Sequence, residues 1–560
     1  ASADGIQDGT LPIALAGIAD ALGEYEPLVN MRAGNVNLLD FLPSDPILDG
    51  SEDYTEEVLG AITAAKGDSG SKYSTSGGRC VIAPPGVIGI SDNLPFDASG
   101  DWIGLQGYSA GLTTFKALGA DARITLASNW ARSGGFTFDG NGLADVGVYL
   151  SVCNGMVLDN IHAYNCAGNG IETHNLQNAV ISGLHSEGNR GHGLVVDDGT
   201  GAVTFIESHV YANYKHQLYI TDSDTAASGF PEPRFNQFLG GIAEYQQVAE
   251  SGTATGGTGS TLVDSGKSWT TNEWAGAWVT MDPGGSNQEG LKITSNTSTT
   301  LMVDGTWAVT PTTETFRIHY APVRHDAGYQ NVFYNYQINP GTMYAAGEFP
   351  CLEAGRRGLT EQQAMLVLHL AQITGVANYN KTGIEIDGAG AIVVIEDDRT
   401  TVASVKNGIR AHNESGSRIE GVFPTMNNVT TSFAAIGGFS LAGTSFNRQR
   451  RLQNLWVRTN ATDRAFYTVV DGDVGIRHEV LASGLMRWGD GTGFTGDTNL
   501  YRSAADTLKT DDAFAVPGTY QLPLWLGSYA LWVNPGDGKL YIKSSAPSSA
   551  TDGTVVGSQS

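Results

Sequence analysis

Four short phrases recur along the chain at a nearly fixed interval: GVYL from Gly147, GIET from Gly170, GLVV from Gly193 and QLYI from Gln217, separated by 23, 23 and 24 residues. Three of them lead into a second apolar stretch, MVLDNIHAYN, AVISGLHSEGN or VTFIESHVYAN. A unit this short cannot bury a core alone and must stack on its copies, so the repeat constrains the chain to a solenoid. Leucine-rich repeats have similar lengths, but the LxxLxL pattern is missing, which leaves a β-solenoid with one coil per repeat.

Aligning the coils brings His162, His185 and His209 into one column, with Tyr164, Glu187 and Tyr211 two residues on and Cys166, Asn189 and Asn213 at the following turn. Stacked strands about 4.8 Å apart set like residues directly above one another. The period of two then turns Ile161, Ala163, Leu184, Ser186, Ser208 and Val210 toward the core, and the His and Tyr/Glu columns outward.

A chain of 560 residues exceeds one ordinary compact core, and its 73 glycines and 16% charged residues suit a β-rich, turn-dense molecule. The formal charge of −26 opposes nucleic acid and anionic membranes as partners. No apolar run of about 18 residues predicts membrane insertion, and no basic and hydrophobic leader opens the sequence. Cys80, Cys153, Cys166 and Cys351 lack metal or disulfide-framework spacing and read as free thiols. No nucleophile elbow, P-loop, dinucleotide fingerprint or HExxH stands in a usable context, so neither cofactor nor metal is expected.

Five regions are expected. Residues 1–35 hold a helical pattern, Leu11 to Leu22, read as a connector or assembly segment. Residues 36–251 and 320–445 carry the solenoid, with TEEVLGAITAAKG as an amphipathic capping helix whose apolar side is Val58, Leu59, Ile62 and Ala65. Residues 252–319 are Thr/Gly/Ser-rich, contain Trp269, Trp274, Trp278 and Trp307, and read as a small inserted β domain. Its indoles are either exposed faces of a glycan-binding module or its own core. Residues 446–560 change composition again and include YALWVNPGDGKLYIKSS, a hairpin turning at Pro535 to Gly538.

The order NVNLLDFLPSD, TEEVLGAITAAKG, GGRCVIAPPGVIGI resembles the opening of the β-helix in bacteriophage tailspikes and related pectate-lyase-like proteins, where the helix closes the first coil. The resemblance covers roughly 36–445 without the insert, and the C-terminal segments are similar to those of phage tail fibres and spikes. It implies an all-β, right-handed parallel β-helix, a homotrimer tied together at its C-terminus, attachment to other virion tail proteins through the N-terminus, and a bacterial surface polysaccharide, capsule or O-antigen, as target.

Glycoside hydrolysis requires two carboxyl groups across a groove, about 5–5.5 Å apart for retention or 6.5–9.5 Å for inversion. Glu187 lies in the outward column, and Glu244 should stand two rungs later, although pairing Ile242 with Leu184 would instead turn Glu244 inward and place Tyr245 there. On the neighbouring strand, Leu194 against Leu218 would set Asp198 beside Asp222, with Asp197 and Asp224 close by; the same aspartates serve equally as solvated turn residues. Elimination requires a base such as His185, His209, Tyr211 or Tyr164 and a cation for the uronate carboxylate, which Arg190, His192, Lys215 or Arg234 would supply. Endo-glycoside hydrolysis ranks first, a polysaccharide lyase second and a non-catalytic receptor-binding spike third, all placed on a virion tail.

Overall fold

The computed structural model describes residues 35–66, 79–97, 103–222 and 232–341, most of 348–436, and strands within 464–556. The expected helix over Leu11 to Leu22 lies outside the described residues, as does Asp224. The chain folds into two compact units, 1–448 and 449–560.

The first unit is a right-handed parallel β-helix. One of its walls is an 11-stranded parallel sheet, one strand per coil, running from Asn93–Phe96 through Val146–Asn154, Asn169–Gln177, Leu194–Asp197 and Leu218–Ile220 to Thr431–Ile436. The other wall is bent: the coils give it either one long strand, such as Val157–Tyr164, or two short ones, such as Val180–Ser182 and His185–Glu187, or Thr204–Ile206 and His209–Tyr211. The bend has a repeated backbone cause. Asn160, Gly183, Glu207, Gly240 and Asn335 occupy the same place in successive coils, each with φ between 49° and 65°. One left-handed residue reverses the pleat and starts the second strand, at a cost that Asn and Gly keep small.

Inside, the coils stack like on like. Phe205 and Phe238 lie parallel with centroids 4.7 Å apart, and Phe333 follows at 4.9 Å. At the corner after the outward strand the core turns polar: Asn189 Oδ1 accepts from Cys166 N–H, Asn213 Oδ1 from Asn189 N–H, and Gln217 Oε1 from Asn213 N–H, all at 3.0 Å. This ladder satisfies buried backbone donors that a turn cannot pair with a strand. Asn236 and Asn331 repeat the device at another corner.

The helix Thr55–Lys66 covers the first coil, burying Val58, Ala61, Ile62 and Ala65 with Leu59 partly buried. Among the described residues no helix is long and apolar enough to cross a membrane. All four cysteines are free, Cys153, Cys166 and Cys351 buried and Cys80 partly so.

Between two coils the chain makes a seven-stranded antiparallel sheet, from Glu250–Thr253 to Thr315–His319. Trp269, Trp274, Trp278 and Trp307 are only 4–7% exposed. Trp269, Trp274 and Trp307 pack in this domain's own core, and Trp278 packs on Phe349 beside the β-helix. The alternative of exposed indole platforms is therefore corrected: the small sheet needs its indoles as filling. A buried ion-pair network ties the insert to the coil wall. Lys292 of the insert reaches Glu353 and, at 2.7 Å, Asp387, while Arg324 Nε donates to Asp326 at 2.6 Å.

The second unit, by itself, contains antiparallel strands Arg464–Thr468, His478–Leu481, Met486–Trp488, Thr498–Ala504 and Thr507–Lys509. A further meander pairs Tyr529–Val533 with Leu540–Lys543 around Ala530, Trp532 and Tyr541.

Candidate functional site

The register of the bent wall creates the site. His162 pairs with His185, His185 with His209 and His209 with Ile242; Tyr164 pairs with Glu187, Glu187 with Tyr211 and Tyr211 with Glu244. Alternate residues of each strand, Ala163, Ser186, Val210 and Ala243, are fully buried, which forces these two columns outward. The imidazoles meet edge to face, with centroids 5.6 Å apart for His162 and His185 and 4.9 Å for His185 and His209. Tyr211 stacks on His209 at 4.4 Å, and Tyr164 lies 5.2 Å from His162.

Both glutamates reach diagonally to the imidazole of the preceding rung. His162 Nε2 stands 3.4 Å from Glu187 Oε1, and His209 Nε2 is hydrogen-bonded to Glu244 Oε1 at 2.7 Å. The close approach of His162, aided by the His185 and His209 imidazoles, holds the Glu187 carboxyl below its usual range despite partial burial. Burial, followed by the neighbouring imidazoles, lowers His185, so this ring is neutral near pH 7. Tyr164 is pushed up to about 12 by burial and the carboxylate of Asp139, its partner in the preceding rung. The surface thus offers a committed carboxylate, a neutral imidazole and, at Tyr164, a phenol that keeps its proton.

The other sequence candidates scatter. Tyr245 leaves the column because Ile242 pairs with His209, not Leu184, and because Asn165, Gly188, Ala212 and Tyr245 share a left-handed corner, with φ of 56°, 61°, 56° and 52° in turn. Glu244 holds the column position instead. Asp198 is corrected as an outer-surface catalyst: Leu194 does pair with Leu218 as expected, but the Asp198 side chain is 1% exposed. It lies inside, with Oδ2 4.0 Å from His174 Nδ1, and Asp197 Oδ1 accepts its backbone N–H. Asp222 is half-buried at the end of the following strand. Arg190, His192 and Lys215 sit at the corner beyond the column, Arg190 over Tyr214 at 5.7 Å. Arg234 is exposed on a different corner, bridging Gly201 and Tyr329.

Some residues escaped the sequence reading. Lys116 and Asp139 precede Tyr164 in its column. On the 11-stranded wall Tyr149, Glu172, Val195, Tyr219, Arg324, Glu353, Glu385 and Arg410 are successive partners in one outward file. The signal was present: Tyr149, Glu172, Val195 and Tyr219 occupy the third position of the four repeated phrases. Burial raises the Glu172 carboxyl. His174, Asp197 and Asp198 bring ligand atoms within 4.8 Å of one another, the grouping among the described residues able to offer a metal ion three ligands.

A family model described as a right handed beta helix region matches residues 118–229, the coils that build the His column. No curated protein matches the chain in sequence. Among solved structures the chain is similar to ORF18 of Geobacillus virus E2, with 14% identity over 98% of this chain and 89% of that one and a TM-score of 0.46. It is also similar to the A-module of the Azotobacter vinelandii mannuronan C-5 epimerase AlgE4, at 12% identity, 73% and 99% coverage and a TM-score of 0.38. The Dettilon tailspike protein gp208 follows at 9% identity, 72% and 68% coverage and a TM-score of 0.33.

Proposed function

We propose that this chain is a phage tailspike-type depolymerase that binds a bacterial surface polysaccharide along the His/Tyr/Glu face and cleaves it by endo-glycoside hydrolysis. The observation that carries this reading is the pair Glu187 and Glu244, two rungs apart on one outward column, each held by an imidazole. Two rungs separate their backbones by about 10 Å, and side chains leaning toward each other enter the range of about 6.5–9.5 Å used for inversion. Glu187, kept ionised, suits the base that activates water. Glu244, hydrogen-bonded to His209, takes the role of the acid that protonates the leaving oxygen. Tyr164 and Tyr211 supply flat faces and hydroxyl donors for flanking sugar rings.

Elimination is the second reading, favoured by the neutral His185, a competent proton acceptor. It lacks a cation in the right place. From Tyr164 to Glu244 the two outward columns contain no Arg or Lys, and Lys116, the nearest in register, stands three rungs from Glu187. Product analysis decides between them. Mass spectrometry of capsular or O-antigen glycans incubated with the protein should find fragments heavier by one water; unsaturated termini would replace hydrolysis by elimination, and intact polymer retained on the protein would leave a receptor-binding spike.

A further inference from the structure

A cavity of about 430 Å³ lies where the inserted sheet meets the β-helix, within the range of about 300–1,000 Å³ common for small-ligand sites. Its coil side is formed by His192, Lys215, His216, Tyr219, Arg324 and Asp326, and its insert side by Glu273, Gly276, Lys292, Thr294 and Asp304 among others. It is distinct from the outward column: His192 and His216 follow the corners at Asn189 and Asn213, and none of the column residues lines the cavity.

The polar groups here are set by the backbone. His216 N–H donates to His192 Nδ1 at 3.1 Å, so that nitrogen carries a lone pair and the proton of a neutral His192 is on Nε2. His216 Nδ1 faces the carbonyl of Ala321 at 2.6 Å and must be the donor, which leaves the lone pair of a neutral His216 on Nε2. The rings lie parallel, centroids 5.1 Å apart, and Tyr219 leans on His192 at 4.8 Å. Burial, reinforced by the neighbouring positive charges, keeps both imidazoles neutral. The stack therefore carries one N–H donor beside one acceptor nitrogen, the complement of neighbouring hydroxyls, each of which donates and accepts. A metal ion is a poor match, because only one of the two Nε2 atoms has a lone pair to give.

The buried cations on the walls, Arg324 and Lys292, are already balanced. Arg324 is held by Asp326 at 2.6 Å and approaches Glu353 at 3.8 Å, and Lys292 is held by Glu353 and Asp387. Asp326 also accepts from the Tyr219 hydroxyl at 2.8 Å. An anionic ligand would find these two buried counter-ions engaged, whereas a neutral polyol needs none. The insert closes directly on this wall: Arg324 Nη1 donates to Gly276 O at 3.2 Å, and a Cβ on Gly276, whose φ is +88°, would meet that nitrogen at 3.0 Å.

We propose that this crevice is a second saccharide site, in which the His192/His216 stack, Tyr219 and Tyr320 hold one neutral sugar ring of the polymer away from the Glu187/Glu244 column. The assignment rests on the reading of the chain as polysaccharide-acting, and gives the insert a purpose other than exposed indoles: it roofs the site.

The test uses the full chain and ligand-observed NMR with methyl glycosides of glucose, galactose, mannose and rhamnose, and methyl glucuronide, at millimolar concentration. At least one neutral glycoside should bind. His192→Asn, which retains an acceptor for His216 N–H, and Thr294→Trp, an exposed insert position that obstructs the crevice, should each weaken it about tenfold or more, while Glu187→Gln leaves it unchanged. Binding lost in Glu187→Gln but kept in both crevice variants would overturn the site, as would preferred binding of the glucuronide or no binding of any neutral glycoside. In that last case continued polymer cleavage would show that the depolymerase reading survives alone. Crevice binding without polymer cleavage would support the site and remove the hydrolytic reading.

Discussion

The coils before and after the insert share a backbone and differ in what they show to solvent. Upstream, the outward columns read His162, His185, His209 and Tyr164, Glu187, Tyr211, Glu244. Downstream the same positions hold Gln337, Gln372 and Thr401, with Asn339, Thr374 and Ala403 beside them. The inward positions hardly change: Ala163, Ser186 and Val210 give way to Ile338, Ile373 and Val402, all fully buried. Stacking fixes the coil from inside, so the outside is free to vary. Titratable and aromatic groups gathered on a few adjacent rungs mark chemistry, while amides and hydroxyls mark a solvated scaffold.

The sharpest way to break this contrast is Glu187→Gln. If the upstream face is the reaction site, polymer cleavage measured by reducing-end release should fall by about 10²- to 10⁴-fold, with unfolding unchanged. Retained activity would move the reaction elsewhere, to the 11-stranded wall carrying Glu172 with its raised carboxyl. Asn213→Ala tests the other half of the comparison, the interior. It removes the buried acceptor for Asn189 N–H, a buried donor to Ser186 O and a part-buried one to Tyr211 O. Stability in guanidinium unfolding should drop by about 1–3 kcal/mol.

The repeat made the coil legible, because like residues at intervals of 23 or 24 can become neighbours only by stacking. It also led to the His162/His185/His209 column and to Cys166, Asn189 and Asn213 at one corner. It did not reveal that the corner amides point inward as a ladder, since Asn at a turn reads equally as a solvent-facing left-handed residue. Asp198 misled for a similar reason: a carboxylate at a strand end normally faces water, and nothing local announced that His174 would cover it. The insert's influence on the coil wall was illegible as well. Lys292 meets Glu353 and Asp387 across 61 and 95 residues of chain, a distance no periodicity spans.

His162→Gln sharpens the electrostatic side of the upstream face. His162 is the first cause of the lowered Glu187 pKa, so removing it raises that pKa toward the ordinary carboxylate value. A base works only when ionised; as pH falls, the variant should therefore lose activity earlier than the wild type, and the acid limb of the kcat/KM profile should move to higher pH. Near pH 7 both remain ionised at Glu187, and the rates should differ only about severalfold, through lost contact with substrate rather than lost base. An unmoved acid limb would mean that a different group titrates in the rate.

The smallest effect is expected from Gln372→Ala. Gln372 is exposed, lies in the continuation of the His column three rungs beyond His209, and pairs through its backbone with Gln337 and Thr401. Its amide contributes nothing to the buried ladder, so stability should stay within about 0.5 kcal/mol of wild type. If the groove ends near Glu244, cleavage of long polymer should also stay within about twofold, the rate equivalent of that energy. A KM raised for long chains but unchanged for short oligosaccharides would instead extend the binding face downstream, making the amide rungs a run of sugar subsites and shifting the boundary between scaffold and site past the insert.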